Sequence, residues 1–137
     1  MRILGVDYGS RRIGIAVSDP ACTMAHPIQT IQVKSDGSHF QEIVEIARSF
    51  QVDRLVVGLP YNMDGSLGGK GEEVLLWGRE LEQRIGLPVT FWDERLSTSE
   101  AHEMLLGFNI KGKKRKTIVD KIAASIILQG YLDSEHP

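Results

Sequence analysis

Three acids in this 137-residue chain stand where acids do little for stability: Asp7, Glu94 and Asp120. Asp7 closes the run Arg2-Ile3-Leu4-Gly5-Val6, which reads as a buried strand, and opens the turn-like Asp7-Tyr8-Gly9-Ser10. Glu94 follows the strand pattern Pro88-Val89-Thr90-Phe91-Trp92 and its terminal Asp93. Asp120 falls in the first turn of the last expected helix. At helical spacing it lines up with Ala124, Ile127 and Tyr131, on the flank of the apolar stripe. Taken singly, each has a plainer reading: a turn residue, a partner for Arg95, a favourable first-turn acid. Taken together, three converging carboxylates would repel one another, and a hard divalent cation resolves the conflict. Mg²⁺ prefers oxygen ligands, and two such ions about 3.5–4 Å apart stabilise both the attacking and the leaving oxygen of a phosphodiester.

The elements that must position these acids follow from the pattern. Residues 2–7 and 12–18 read as a hairpin around Gly9-Ser10-Arg11. Residues 23–33 read as a third strand, with Pro27 arguing for an edge or a bulge. A helix is expected over 38–50, a buried strand over 53–60, a glycine-rich loop from Tyr61 to Gly71 and a helix from Glu72 to Ile85. Ser97-Thr98-Ser99-Glu100 reads as a capping box opening a helix to about Leu106. A final helix is expected from Thr117 to Leu132. The order βββ-α-β-α-β-α-α implies an α/β fold with a five-stranded mixed sheet, three antiparallel strands then parallel ones, and helices on both faces. In such sheets ligands bind outside the carboxyl ends of the parallel strands. That rule would bring Asp7 and Glu94 to one rim.

Composition narrows the classes. The chain is 42% apolar and 25% charged, the balance of an ordinary globular protein, and its length suits one domain, 1–137. No run of about 18 apolar residues suggests a membrane span, and no apolar leader pattern follows the first residues. Cys22 is the only cysteine, which excludes an internal disulfide and suits a reducing cytoplasm. His26, His39, His102 and His136 show no zinc spacing, and no G-x-S-x-G elbow is present. Lys111-Gly112-Lys113-Lys114-Arg115-Lys116 carries +5 in a chain of formal charge −2, a local site for a polyanion. The glycine loop is neither a P-loop nor G-x-G-x-x-G. With a nucleic-acid substrate, its Asn62, Ser66 and Lys70 become candidate backbone contacts.

Val6-Asp7-Tyr8-Gly9, Val57-Gly58-Leu59-Pro60, Asp93-Glu94-Arg95-Leu96-Ser97-Thr98 and Asp120-Lys121-Ile122-Ala123-Ala124 resemble, in that order, the YqgF family. The resemblance spans essentially the whole chain. It implies a ribonuclease H-like fold, a kinship with RuvC-type Holliday junction resolvases, and an activity on the 5′ end of pre-16S rRNA. It further implies that Asp7, Glu94 and Asp120 are metal-binding catalytic acids in a cytoplasmic protein of ribosome biogenesis. One departure stands out. RuvC-type enzymes place two acids three residues apart on the last helix, whereas Thr117 and Ala123 flank Asp120 at that spacing. Asp93 would substitute only if the strand end twists, because neighbouring strand residues face opposite sides.

The expectation is therefore a Mg²⁺- or Mn²⁺-dependent endonuclease acting on RNA, with Asp7, Glu94 and Asp120 holding the metal. Lys113, Lys114, Arg115 and Lys116 contact phosphates, and Arg95 and Arg11 position the strand. The alternatives are a Holliday junction resolvase-like nuclease acting on branched DNA, a non-catalytic nucleic-acid-binding factor, and an actin-like nucleotide-binding module.

Overall fold

The structure is a computed structural model that describes residues 1–97 and 113–136. Its elements are β1 (Ile3–Tyr8), β2 (Arg12–Ser18), β3 (Ala25–Gln32), α1 (Ser38–Ser49), β4 (Arg54–Leu59), α2 (Gly69–Ile85), β5 (Val89–Asp93), a 3₁₀ turn (Glu94–Ser97) and α3 (Lys113–Glu135). The five strands form one sheet in the order β3-β2-β1-β4-β5. β1 pairs antiparallel with β2, and β2 with β3, whereas β1–β4 and β4–β5 are parallel. β1, β4 and β5 thus end on the same edge. Pro27 sits on the edge strand, beside a register shift that leaves Ile28 without a partner. A residue without an N–H is tolerated at such a place.

Strand alternation divides the core in two. Leu4, Val6, Ile13, Ile15, Leu55 and Val57 face one way, onto Phe40, Ile43 and Ala47 of α1 and Val74, Trp77 and Leu81 of α2. Ile3, Ala16 and Val56 face the other way, onto Ala124, Ile127, Leu128, Tyr131 and Leu132 of α3. Each large apolar side chain so buried contributes roughly 1.5–3 kcal/mol, so α3 is firmly seated. Polar ties fix its rotation. Arg54 donates to the Tyr131 hydroxyl at 2.8 Å, and Gln129 accepts from Ala25 N–H and donates to the Thr23 carbonyl, both at 2.9 Å.

Two helix starts lie earlier than the sequence pattern suggests. α2 begins at Gly69 rather than Glu72. Gly71 presses against the Pro60 carbonyl and Leu67, where a Cβ would not fit, so tertiary packing overrides the low helix propensity of glycine. α3 begins at Lys113 rather than Thr117. Lysine and arginine are good helix formers, and the basic block supplies the first turn rather than a loop. The helix expected from Ser97 to Leu106 lies outside the described residues beyond Ser97, which ends the 3₁₀ turn. Among the described residues, no helix is long and apolar enough to cross a membrane.

Candidate active site

Asp7 is the last residue but one of β1 and pairs across the ladder with Gly14 of β2. By alternation with Ile3 it projects toward α3. Two glycines make room around it. A Cβ on Gly14 would collide with the backbone carbonyl of Asp120, so α3 reaches the sheet at the Asp120 turn only because position 14 has no side chain. On the other flank, a Cβ on Gly58 of β4 would lie 2.7 Å from Glu94 Oε1 and 2.5 Å from Ile127 Cδ1. Gly14 is the floor under Asp120, and Gly58 is the floor under Glu94. Asp7 stands between them.

The rotation of α3 differs from the sequence expectation in a way that matters here. Its buried column is Ala124, Ile127, Leu128 and Tyr131, the column headed by Asp120, while Ala123 and Ile126 are half-buried. Asp120 therefore leads the face that meets the sheet rather than flanking it. With α3 starting at Lys113, Asp120 is also about two turns inside the helix. The helix N-terminus acts only within the first turn, so it does not supply the charge beside Asp120. Arg12 does: its Nε donates to Asp120 Oδ2 at 2.6 Å, with both side chains largely buried.

The electrostatics at Asp7 are those of crowded acid. Its carboxyl is pushed up to about 7, first by burial, then by the negative charges of Glu94 and Asp120 and a hydrogen bond with Glu94, while the Lys70 ammonium opposes the rise. Glu94 is also raised, chiefly by burial, with its bond to Asp7 and the charge of Lys70 pulling the other way. The pair holds one proton in common close to neutrality, and Asp7 carries it. Hard oxygen ligands facing one another across a retained proton suit a divalent cation that would take the proton's place. Among the described residues, no three His, Cys, Asp or Glu side chains form a finished cation cage. Asp7 and Glu94 face each other, while Asp120 turns to Arg12.

The other expected site residues are distributed around this centre. Lys70, in the first turn of α2, lies 5.6 Å from the Tyr8 ring centroid and 3.8 Å from Glu73 Oε2, and its charge reaches both Asp7 and Glu94. Arg95 turns away from Glu94: it bonds Asp93 through Nε and Nη2, bonds the Asn62 carbonyl through Nη1, and lies over the Tyr61 ring. Asp93 is held low by that guanidinium, which engages both of its carboxylate oxygens. Asn62 and Ser66 bond each other and, through Asp64, close the β4–α2 loop on itself. Arg11 is exposed at the β1–β2 hairpin, with its carbonyl tied to Val33 N–H. Lys113, Lys114, Arg115 and Lys116 form the first turn of α3; the phosphate contacts expected of them concern side chains outside those described. Arg12 was missed in the sequence. The signal was there: once Asp7 pairs with Gly14, residue 12 must share their face of the sheet.

A profile of the RuvX family, described as Holliday junction resolvase, matches residues 1–134. The chain belongs to the RuvX/YqgF family. It is 47% identical over 136 residues to a protein of Caldanaerobacter subterraneus subsp. tengcongensis, covering 98% of both chains. It is 45% identical over 134 residues to one of Clostridium acetobutylicum, covering 98% of this chain and 99% of the other. Both relatives are named "Putative pre-16S rRNA nuclease". Among solved structures, RuvC of Thermus thermophilus in complex with a Holliday junction substrate superposes with a TM-score of 0.61 at 16% identity, over 98% of this chain and 96% of that one. The Fowlpox virus resolvase bound to Holliday junction DNA gives 0.60 at 10% identity over the full length of both chains. These likenesses establish a resolvase-type, ribonuclease H-like fold.

Proposed function

We propose that this chain is a divalent-metal-dependent endonuclease of the cytoplasm, one nuclease domain over residues 1–137, that hydrolyses RNA phosphodiester bonds at the 5′ end of pre-16S rRNA. The observation that supports the reading is that Asp7 and Glu94, far apart in sequence, face each other at the carboxyl edge of the parallel strands, with the charge of Asp120 reaching Asp7. The relatives' names supply the RNA substrate.

Asp7 and Glu94 would hold Mg²⁺ or Mn²⁺ directly, with Asp120 as the third oxygen donor. The cation, when bound, supplies Lewis-acid stabilisation of charge on the phosphate oxygens. The rest is the work of this chain's own groups. Loss of the shared proton leaves Asp7 and Glu94 both anionic and able to accept hydrogen bonds from a nucleophilic water. Lys70, close enough to lower both acids, would meet a phosphate oxygen. The first turn of α3, with Lys113, Lys114, Arg115 and Lys116, would take neighbouring phosphates. Such contacts fix register without reading sequence. Arg11 at the hairpin and Arg95 beside the glycine loop would extend the track, and Asn62 and Ser66 would keep that loop in shape beneath it.

The test is cleavage of precursor rRNA with Mg²⁺ or Mn²⁺ by the wild type and by Asp7→Asn. Cleavage is expected from the wild type alone, and equal cleavage by both sinks the mechanism. The family's description also admits a junction resolvase acting on DNA. A four-way DNA junction is therefore run in parallel with a mass measurement, because symmetric cutting of two strands needs a dimer.

A further inference from the structure

We propose that Arg12 takes the place of a second cation in this site, so that the carboxylates hold one divalent ion and Arg12 acts as the positioning residue for Asp120. The inference rests on the cation-site reading above and goes further, to the number of metals and to a residue outside the acid set.

Geometry comes first. Arg12 opens β2 and has its backbone fixed, because its carbonyl accepts from Gly9 N–H at 2.9 Å and its strand position pairs with Gln32. By alternation with Gly14 it lies on the α3 face, beside the rim where Asp7 projects. Its Nε is 2.6 Å from Asp120 Oδ2, and neither side chain is more than 28% exposed. Arg12 engages one carboxylate oxygen of Asp120, Oδ2. Among the described residues, the two terminal guanidinium nitrogens of Arg12 make no hydrogen bond.

Charge comes next. Three ionised carboxylates carry −3. One divalent ion and one guanidinium, which stays protonated at every relevant pH, match them, and the Lys70 ammonium adds a further positive charge at the rim. A second divalent ion would leave this partly buried site strongly positive. Among the described residues it would also find no carboxylate of its own on α3, since the residues three either side of Asp120 are Thr117 and Ala123, and Asp93 is taken up by Arg95. Among the described residues, the lack of an acid partner for Asp120 on α3 and the presence of Arg12 beside it are two sides of one arrangement.

The experiment is Mn²⁺ titration of the full chain, followed by electron paramagnetic resonance and calorimetry, with wild type, Arg12→Lys, Arg12→Gln and Arg12→Met. The wild type should bind one Mn²⁺ per chain. Removing a full charge this close should tighten binding by about tenfold or more in Arg12→Gln and Arg12→Met, while Arg12→Lys stays near wild type. Two ions per wild-type chain, or unchanged or weaker binding in both neutral variants, overturns the proposal while leaving the cation site standing. No Mn²⁺ binding by the wild type overturns the site itself and this role with it.

Discussion

The backbone carbonyl of Asp120 rests against Gly14 so closely that no side chain fits between them. Because Gly14 is also the ladder partner of Asp7, this one contact sets how near the last helix brings its acid to the acid of the first strand. Gly58 does the same for Glu94, but against the movable ends of two side chains rather than a backbone. The two glycines should therefore fail differently. Gly14→Ala must push α3 off the sheet and is expected to cost about 2–3 kcal/mol, the upper range for overpacking, with activity lost as well. Gly58→Ala should cost less than about 1.5 kcal/mol, because Glu94 and Ile127 can turn aside, yet should still impair cleavage by displacing Glu94. Urea unfolding set beside cleavage rates separates the two. Equal stability losses would show that the floor under Asp120 yields as easily as the floor under Glu94.

The shared proton gives a pH dependence with a definite sign. The folded-state value of Asp7 is raised from 3.8 to about 7, so between those values the folded protein holds a proton that the unfolded chain has lost. The resulting stabilisation is complete below pH 3.8 and disappears as pH rises through about 7. A cation must displace this proton, so Mg²⁺ affinity and cleavage should both rise through about pH 7 and level off above it. Calorimetry in two buffers of different ionisation enthalpy should detect proton release on binding at pH 6 and little at pH 8. Release that does not change with pH would remove the Asp7–Glu94 proton from the account.

Asp7→Asn should part stability from activity. At pH 8 without metal, the wild-type Asp7 has lost its proton beside Glu94, and the amide relieves the resulting repulsion. The variant is expected to be more stable than the wild type by about 1–3 kcal/mol, while cleavage falls about a thousandfold or more, the several kcal/mol that a correctly held cation contributes. Adding Mg²⁺ should reverse the stability order, because only the wild type gains from binding. Thermal melts with and without Mg²⁺ read this directly. A variant less stable than the wild type under every condition would mean that Asp7 serves the fold.

The sequence carried the sheet and its rim more clearly than the helix starts. Alternation and short apolar runs located β1, β2, β4 and β5, and Pro27 marked the edge strand. Two runs of local composition misled, Gly68-Gly69-Lys70-Gly71 and Lys113 to Lys116, because helix starts depend on what packs beneath them. Gly71 is helical through its contact with Pro60 and Leu67, which no local pattern encodes. Asp120 was legible as an acid out of place on a half-apolar helix, but its direction was not: a few residues of error in the helix start moved it from the first turn to the second. Arg12 needed the Asp7–Gly14 register before its side of the sheet could be known. Arg95 looked like a strand-positioning cation from its place after Glu94, yet it spends two of its donors on Asp93. A bidentate neighbour at that spacing competes with any phosphate.

The extended start of α3 gives the last prediction. Lys113 to Lys116 put four adjacent positive charges in the sequence of the first turn of the helix that bears Asp120. Replacing all four with Ala should weaken RNA binding at low salt and flatten the slope of log K against log salt by less than the roughly 3 units that four full single-strand phosphate contacts would give. Asp7→Asn, by contrast, should leave the salt slope as it is, because it changes no phosphate contact. Filter binding across a salt series checks each point. No effect from the fourfold variant would take this turn out of the nucleic-acid track.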